Sequence, residues 1–525
     1  MTENQSAARD VKTVGFMIAA MGLSKLLGLT RTLLMARTYG VGIEAAAFFT
    51  AARIPLTIFD LFLGAAVLGS FIPIYNSFTK RDKADEFACV FVNFIILCTG
   101  VISILGVIFS EQIVWMITRY STRITELSGE ELAQFREMVR ISAGLLRIMF
   151  PMIIFTGSTY VAVGLLQSKN VFLLPALVSS ISNLGVIIYF IFLNDSFGIY
   201  GLAAAYLVSW LIQLVTLLIP LIKKGFRYRL FFSLANPALK KALKSALPIM
   251  AGSWLMPVGL LTGQIFAYSY PDPAAVVSAF EYSTQIYLLI TGILVFGVCN
   301  FLFPRLSRQW AASDKEGFAK TVRGGIFASL ALTAPFGIAA FVLNREIFAA
   351  MLMGGEFTSA AAESTAAFFR IYVPAMIAFT FIEFLNRVYY SGGKAIIPMT
   401  AALAGITANI TCAYVFVRIL GLPPVYIALA GVIGQFTAAG VLVVILPFKV
   451  AGIKISGVIF DAVRVLIPAA LALLLMLWIH SMLGANPAYT GRLGNILNAF
   501  IVFTPGAVVY AGLLLVGRRL VKTEE

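Results

Sequence analysis

The sequence predicts an all-α polytopic membrane protein with about fourteen transmembrane helices. Of its 525 residues, 60% are hydrophobic and only 12% are charged, whereas a soluble domain has roughly a quarter of its residues charged. The mean hydropathy is +0.93, and apolar runs long enough to cross a hydrocarbon core recur from end to end. A β-barrel would instead show short segments of alternating hydrophobicity.

The apolar runs define the individual spans, several of which are long enough to tilt or to protrude from the bilayer. Residues 1–11 are polar, and the first apolar run is too long and too basic for a cleavable signal peptide, so we expect the first helix itself to direct insertion. The fourteen predicted spans are about 13–36, 44–76, 87–118, 138–167, 171–193, 198–222, 243–268, 275–304, 318–343, 359–391, 395–417, 424–448, 463–483 and 494–517.

The connections between spans alternate in charge. Those after odd-numbered spans are poor in charge or balanced, including the largest, at 119–140. Basic loops remain on the cytoplasmic side of a membrane, so both termini are predicted to be cytoplasmic. The basic connections follow even-numbered spans and carry Lys80, Arg81, Lys83, Lys223, Lys224, Arg227, Arg229, Lys240, Lys241, Lys244, Arg305, Arg308, Lys315, Lys320, Arg323, Arg518, Arg519 and Lys522.

Charge and motif content exclude several function classes. The net charge of +15 follows from the basic loops and from contact with anionic lipid, so no nucleic-acid partner is expected. The four cysteines lie in apolar segments without a C-x-x-C pair, which predicts neither a disulfide nor a metal site. No catalytic motif and no phosphate-binding loop is present, so no catalytic residue is predicted. Any energy input must come from a coupling monovalent cation, the membrane potential or the substrate gradient.

The chain also repeats itself. RIMFPMIIF begins at Arg147 and RIYVPAMIAF at Arg370, an offset of 223 residues that also relates Pro175 to Pro398. FIPIYNSF, with Pro73, matches FLFPRLS, with Pro304, at an offset of 231. Spans 1–6 therefore correspond to spans 7–12. Because six is even, the two halves form a parallel repeat about an axis normal to the membrane, as in several transporter folds.

The repeat predicts three parts. These are a six-helix lobe at 1–230, a second six-helix lobe at 231–450, and two additional helices with a cytoplasmic tail at 451–525. In folds of this type the site lies near the bilayer midplane, at the interface of the repeats. Charges inside the spans are the first candidates for such a site, because a mid-membrane charge is costly unless it is paired or hydrated.

The first span holds two such charges, Lys25 and Arg31. They lie about 9 Å apart along a helix axis and about 120° apart around it, so both can edge a broad cavity but cannot share a narrow stripe. Two roles are possible for Lys25 and Arg31: contact with a substrate, or an internal salt bridge. Arg37 lies near the outer end and can snorkel to the interface. Gly22, Ser24 and Gly28 beside them favour close helix packing.

Other embedded charges divide between the two halves. Arg53 and Asp60 are seven residues apart on one face of span two, while Glu281 lies on span eight. Asp60 and Glu281 can pair with cavity cations or bind a coupling ion. Arg370 occupies the repeat position of Arg147, where structural and functional roles are equally open. Glu383 and Arg387 are an i, i+4 pair for which mutual neutralisation is the simplest interpretation. His480, near the end of span thirteen, suggests no role.

Several segments together resemble one family. SKLLGLTRTLLMARTYGVG, AAAFFTAARIP, FIPIYNSF, GILVFGVCNFLFPRLS and MLMGGEFTSAA are similar to segments of the MurJ/MviN flippases for lipid-linked peptidoglycan precursors, in the MOP transporter superfamily. The resemblance covers essentially the whole chain, including two helices beyond a twelve-helix core. It implies a V-shaped two-lobe bundle in the bacterial cytoplasmic membrane, with a cationic central cavity and no enzymatic activity.

The resemblance also implies the cargo, which is lipid II, an undecaprenyl diphosphate that bears a disaccharide-pentapeptide. Arg31 matches a cavity arginine of the family, and Lys25 stands where members carry a second arginine. These cations would bind the diphosphate, and spans thirteen and fourteen would form a groove for the lipid tail. The expected partners are the polyprenyl-diphosphate-linked saccharide, membrane lipids and cell-wall synthesis proteins, with the chain as a monomer.

The chain departs from the family pattern at several charged positions. An aspartate, an arginine and a glutamate of span two are replaced at Ala46 and near Phe59 and Gly64, and an Asp-Arg pair of span eight appears as Thr284 and Gln285. Gln285 is retained as a substrate-contact candidate. Four alternatives remain: another polyprenyl-linked saccharide as cargo, a cation-coupled drug or metabolite antiporter of the same superfamily, a membrane-embedded sugar transferase or ligase, and a non-transporting scaffold.

Overall fold

A computed structural model describes residues 3–64, 70–119, 129–450, 452–483 and 491–522, and every regular element in these ranges is helical. Two predicted outer connections fall largely in 120–128 and 484–490, outside the described residues. The first ten helices are α1 (Glu3–Tyr39), α2 (Ile43–Phe59), α3 (Ile72–Ser77), α4 (Arg81–Ile108), α5 (Ser110–Arg119), α6 (Gly129–Met149), α7 (Met152–Ser168), α8 (Leu173–Phe192), α9 (Asn194–Lys223) and α10 (Pro237–Ser253).

The second half of the chain has the same arrangement of long apolar helices separated by short polar connections. Two π-helical segments, π1 (Asp60–Gly64) and π2 (Val415–Ile419), extend α2 and α17. The remaining helices are α11 (Leu255–Ala267), α12 (Pro273–Ala311), α13 (Lys315–Val342), α14 (Asn344–Met351), α15 (Ser359–Tyr372), α16 (Ala375–Ser391), α17 (Ile396–Tyr414), α18 (Tyr426–Lys449), α19 (Ile455–Leu483) and α20 (Gly491–Lys522).

Most of these helices are long enough to cross a membrane. Among the described residues, ten helices are long and apolar enough to span a bilayer, or thirteen when each of three bent pairs counts as one span. The predicted span at 13–36 falls within α1, which is not among those thirteen and is only partly described at the level of side chains. The polytopic helical class is confirmed, and the count of fourteen stays a prediction.

Prolines account for two of the three bends. The axes of α6 and α7 differ by 42° across Phe150 and Pro151, and those of α15 and α16 by 51° across Val373 and Pro374. Proline lacks an N–H and clashes with the preceding turn, so the helix breaks there. The third bend, 50° between α10 and α11, lies near Pro257 at the start of α11, while Pro248 lies inside α10.

The offset of 223 residues found in the sequence recurs in the backbone. The helix after each bend ends in the same hydrogen-bonded turn: Val171 N donates to Leu166 O at 2.8 Å, and Lys394 N donates to Tyr389 O at 2.9 Å. Positive φ angles recur at the same spacing, at Asn170 and Gly393 and at Gly198 and Gly421. The local geometry of the two halves therefore matches. Their parallel arrangement in the membrane stays a prediction.

Contacts between helices group the chain into two compact units. Unit 1 is Met1–Pro257 with Tyr268–Ala275, and unit 2 is Val258–Ala267 with Val276–Glu525. The predicted three-part division at 230 and 450 stays a prediction.

Each unit has its own aromatic core. In unit 1 the rings of Phe71, Phe87 and Phe91 pack together, with centroids of Phe71 and Phe91 at 4.9 Å. In unit 2 the buried Tyr287 donates to Gln435 Oε1 at 2.9 Å, which satisfies a hydroxyl that would otherwise be costly inside the unit.

Candidate functional site

The α1 helix carries its two central cations at the margins of one exposed face. Gly22, Leu23, Leu26 and Thr30 are exposed along that face, and the side chain of Lys25 is exposed at one edge. At about 100° per residue, Arg31 lies at the opposite edge, where it is half-buried. The two cations do not share a narrow stripe, as their six-residue spacing predicts, and the broad cavity that they are expected to edge stays a prediction.

The opposite face of α1 packs against α8. Ser24 Oγ lies 2.5 Å from Ser180 Oγ, and Asn183 Nδ2 donates to Ser24 O at 3.2 Å. A Cβ at Gly28 would lie 3.3 Å from Asn183 Nδ2, so glycine permits this close approach. The packing role predicted for Ser24 and Gly28 is therefore confirmed. Gly22 has open space around it and takes no part in the seam.

Neither cation of α1 is in an ion pair within the described part of the chain. Arg31 Nη1 donates to the hydroxyl of Tyr206 at 3.4 Å, and its guanidinium lies 5.6 Å from the centre of that ring. Tyr206 is on α9, and its ring contacts Phe48 edge-on at 5.6 Å between centroids. A phenol orients a guanidinium without neutralising it, so both positive charges stay available to an anion. The internal salt bridge expected as the alternative is not found among the described residues.

Arg53 and Asp60 form a second charged region of unit 1. Arg53 lies on α2, and Asp60, seven residues later, begins the π1 segment. The wide π turn alters the backbone hydrogen bonding, and Nε1 of Trp254, the residue that follows α10, donates to Leu61 O at 2.8 Å. Asp60 therefore lies beside a break in regular helical hydrogen bonding, and a role of Arg53 and Asp60 in substrate or ion binding stays a prediction.

Glu281 and Gln285 lie on α12 in unit 2. Glu281 is only 2% exposed, while Gln285 is half-buried. Each already interacts with another residue. Thr284, between them, donates its hydroxyl to Glu281 O at 3.0 Å. Contact of Glu281 or Gln285 with a substrate stays a prediction.

Glu383 and Arg387 of α16 form the ion pair that their spacing predicts. Arg387 Nη1 lies 2.7 Å from Glu383 Oε2 and also donates to Glu383 O at 2.8 Å. Both side chains are mostly buried, at 24% and 21% exposure. The positive charge of Arg387 is thus largely neutralised within its own helix, in contrast to Arg31.

Arg370 and its repeat counterpart Arg147 have different partners. Arg147 Nε donates to Ser110 Oγ at 2.8 Å, and Nη2 lies 3.4 Å from Glu111 Oε2. Arg370 is exposed, and its guanidinium lies 4.8 Å from the ring centre of Phe341. Arg370 also lines a cavity of about 1270 Å³ within unit 2. The same position is therefore structural in unit 1 and faces open space in unit 2.

Two charged contacts could not be predicted from the sequence. His480, which suggested no role, lies with Nε2 2.7 Å from Glu346 Oε1. Asp461 pairs with Arg323, with Nε to Oδ2 at 3.0 Å and Nη2 to Oδ1 at 3.2 Å. α19 begins eight residues before the predicted span at 463–483, and this additional stretch includes the buried Asp461.

The missed contacts differ in how well a sequence could reveal them. Asp461 is an isolated acid in an apolar run, IFDAVRV, which is a usable signal. Tyr206 and Glu346 become neighbours of Arg31 and His480 only through the fold. Within the described residues, no three His, Cys, Asp or Glu side chains are grouped so that they could hold a metal ion.

Comparison with known proteins gives a consistent family. A family model described as lipid II flippase MurJ matches residues 35–490. A probable lipid II flippase MurJ of Buchnera aphidicola subsp. Schizaphis graminum is 25% identical over 386 residues, with 73% of each chain covered. That of Bdellovibrio bacteriovorus is 25% identical over 419 residues, which cover 78% of this chain and 77% of the relative.

Solved structures agree on the fold. A lipid II flippase MurJ in an inward closed conformation matches with a TM-score of 0.77 at 22% identity, covering 96% of this chain and 99% of that one. An inward-facing multidrug resistance MATE family transporter of the MOP superfamily matches with a TM-score of 0.65 at 17% identity, covering 84% and 94%. The second similarity extends to the transporter fold, over a smaller share of the chain.

Proposed function

Because this chain belongs to the MurJ family, we propose that it is a lipid II flippase of the bacterial cytoplasmic membrane. It carries a polyprenyl-diphosphate-linked saccharide from the inner to the outer leaflet by alternating access. The protein is a transporter and not an enzyme. The observation that carries the proposal is the pair of α1 cations, Lys25 and Arg31, which lie without carboxylate partners in the described chain at the edges of an exposed helix face.

The diphosphate is the part of the cargo that these cations recognise. It carries about two negative charges, and a cation in a low-dielectric surrounding attracts it more strongly than one at a free surface. Arg31 presents a planar fork that fits two phosphate oxygens, and Tyr206 holds that fork in place. Lys25 adds a mobile point charge at the other edge of the face.

The helices α19 and α20 provide the surface for the polyprenyl tail. Leu474, Trp478, Leu497 and Phe500 are all more than half exposed on these helices. Salt-bridge contacts fix α19 to the rest of unit 2 through Arg323 and Glu346. A long apolar chain lying along such a surface gains favourable contact in proportion to the area it covers.

Energy coupling involves a monovalent cation or the membrane potential. We assign the ion to the embedded acids Asp60 and Glu281, and Arg53 precedes Asp60 by seven residues on α2. The orientation with both termini in the cytoplasm rests on the basic loops that follow even-numbered spans. The protein acts as a monomer and delivers its cargo to cell-wall synthesis proteins.

A MATE-like antiporter is the second candidate, because the structural match to a multidrug MATE transporter is substantial. The two activities separate in one experiment. Purified full-length protein is reconstituted in vesicles with fluorescent lipid II in the inner leaflet, and exposure of the lipid to an impermeant quencher is followed. We expect lipid II to appear outside, and an imposed cation gradient to drive no efflux of cationic dyes. Dye efflux without lipid II movement would favour the antiporter.

A further inference from the structure

Unit 2 contains a charged cavity that the proposed transport mechanism does not use. It has a volume of about 1270 Å³ and lies where α13 and α19 end and where α15, α18 and α20 begin, with α14 along one side. All these helix ends are on the same side of unit 2, which is the outer side in the predicted topology. The cavity therefore opens at the level of the outer headgroups.

Two arginines face this cavity without an acidic partner. Arg345 of α14 and Arg370 of α15 both line it, and neither is in an ion pair within the described part of the chain. Arg370 is held at one side by the ring of Phe341, 4.8 Å from its guanidinium. Guanidinium groups that keep free donors in a partly enclosed space are suited to phosphate oxygens.

Two carboxylates face the same cavity. Glu363, about two helical turns before Arg370 on α15, is exposed and in no ion pair among the described residues. Glu346 meets His480 through Oε1, while its Oε2 has no described hydrogen-bond partner. The amide oxygen of Asn498, a residue only 9% exposed, is also unpartnered. Two arginines and two carboxylates thus line one space, together with His480, which contacts Glu346.

One wall of the cavity is apolar. Leu429, Val432 and Leu477 line it, and Leu477 continues into the exposed apolar surface of α19 that includes Leu474 and Trp478. A ligand that uses both the polar rim and this wall must be amphiphilic. A small soluble zwitterion would reach the charges but would leave the apolar wall uncovered.

We propose that this cavity binds the headgroup of a zwitterionic phospholipid of the outer leaflet. Its phosphate lies on Arg345 and Arg370, its ammonium group lies on Glu363 and Glu346, and its acyl chains begin on the apolar wall formed by Leu429, Val432 and Leu477. A purely anionic headgroup would satisfy the arginines but would be repelled by the two carboxylates. The inference goes beyond lipid II transport and does not depend on it.

Native mass spectrometry of the full-length protein tests the site with two lipids of identical acyl chains, phosphatidylethanolamine and phosphatidylglycerol. We expect the wild type to retain one phosphatidylethanolamine about ten-fold more tightly than phosphatidylglycerol, the effect of one charged contact. Glu363→Gln is exposed and should fold normally, and it should remove this preference. Equal retention of the two lipids by the wild type would overturn the proposal.

Substitution of the two arginines provides a second test of the site. The double variant Arg345→Ala/Arg370→Ala should lose the retained lipid, whereas Arg147→Ala, the repeat counterpart of Arg370, should keep it. A folded double variant that keeps the lipid overturns the proposal, and if it does not fold, the Glu363→Gln result decides alone. Soluble O-phosphoethanolamine distinguishes the ligand source: it should displace the lipid only at a large molar excess, and displacement at equal concentration would show that the site serves a soluble zwitterion.

Discussion

The helices α1 and α16 both carry arginine in an apolar surrounding, yet they use it in opposite ways. On α16, Arg387 has its own acid one turn earlier, and the two side chains meet at 2.7 Å. On α1, Arg31 meets only the hydroxyl and ring of Tyr206, and Lys25 meets no described acid. We infer that an embedded charge indicates a binding site only when the fold leaves it unneutralised.

The comparison separates two kinds of free-energy cost. A neutralised charge such as Arg387 stabilises the fold only modestly. Loss of its partner, however, leaves a mostly buried charge without compensation in a low-dielectric surrounding. An unneutralised charge such as Arg31 is costly in the empty protein and gains most when an anionic ligand arrives. Substitutions at the two helices should therefore affect different measurements.

The largest effect is expected for Arg31→Ala in lipid II transport. Loss of one or two charged hydrogen bonds, each worth about 1.5–3 kcal/mol, should lower the initial rate in vesicles by about ten-fold to a hundred-fold or more. Arg31→Lys should recover part of the rate because it keeps the charge and loses the fork. Normal transport by a folded Arg31→Ala protein would show that the α1 cations are structural.

Glu383→Gln should produce the next largest effect, and it should affect stability. Arg387 would be left mostly buried without its carboxylate, at a cost of about 2–3 kcal/mol, somewhat below that for a fully buried pair. The expected result is a lower thermal unfolding temperature, with the transport rate per folded molecule nearly unchanged. If the rate per folded molecule falls as far as in Arg31→Ala, the distinction between α1 and α16 is wrong.

Asp461→Asn should have a smaller effect of the same kind. Asp461 is 9% exposed but its partner Arg323 is 46% exposed, so water compensates part of the loss, and we expect about 1–2 kcal/mol. Because this pair joins α13 to α19, limited proteolysis after Lys454 should become faster in the variant. Unchanged proteolysis and unchanged unfolding temperature would indicate that the pair does not fix α19.

The smallest effect is expected for Glu111→Gln. Its contact with Arg147 is 3.4 Å long, and both side chains are more than half exposed. Exposed pairs contribute about 0–1 kcal/mol, so the unfolding temperature should stay within measurement error. A marked loss would mean that this position in unit 1 is as sensitive as the mostly buried pair of α16.

Much of the fold was predictable because it depends on local chemistry. The length of the apolar runs predicted the helices, the chemistry of Pro151 and Pro374 accounts for two bends, and the 223-residue offset anticipated the matching turns at Asn170 and Gly393. Each of these features follows from a few neighbouring residues. The i, i+4 spacing of Glu383 and Arg387 predicted their ion pair for the same reason.

The candidate site was less predictable because it depends on tertiary neighbours. The sequence identifies Lys25 and Arg31 as embedded cations, but only the fold shows Tyr206 beside Arg31 and no described acid near either charge. His480 gained a role because α14 brings Glu346 to it. Arg147 and Arg370 share a motif and a bend, yet Ser110 and Glu111 have no equivalent at Arg370.

We propose that the unneutralised cations of α1 hold the diphosphate of the cargo. Photocrosslinking between α1 and lipid II tests this directly. A photocrosslinking amino acid at Leu26, which is 64% exposed between the two cations, is introduced into full-length protein in vesicles that contain labelled lipid II. We expect a lipid II adduct that is lost in the Lys25→Ala/Arg31→Ala background and kept in the Glu383→Gln background. An adduct of equal yield in the double variant, or none in the wild type, would contradict the claim.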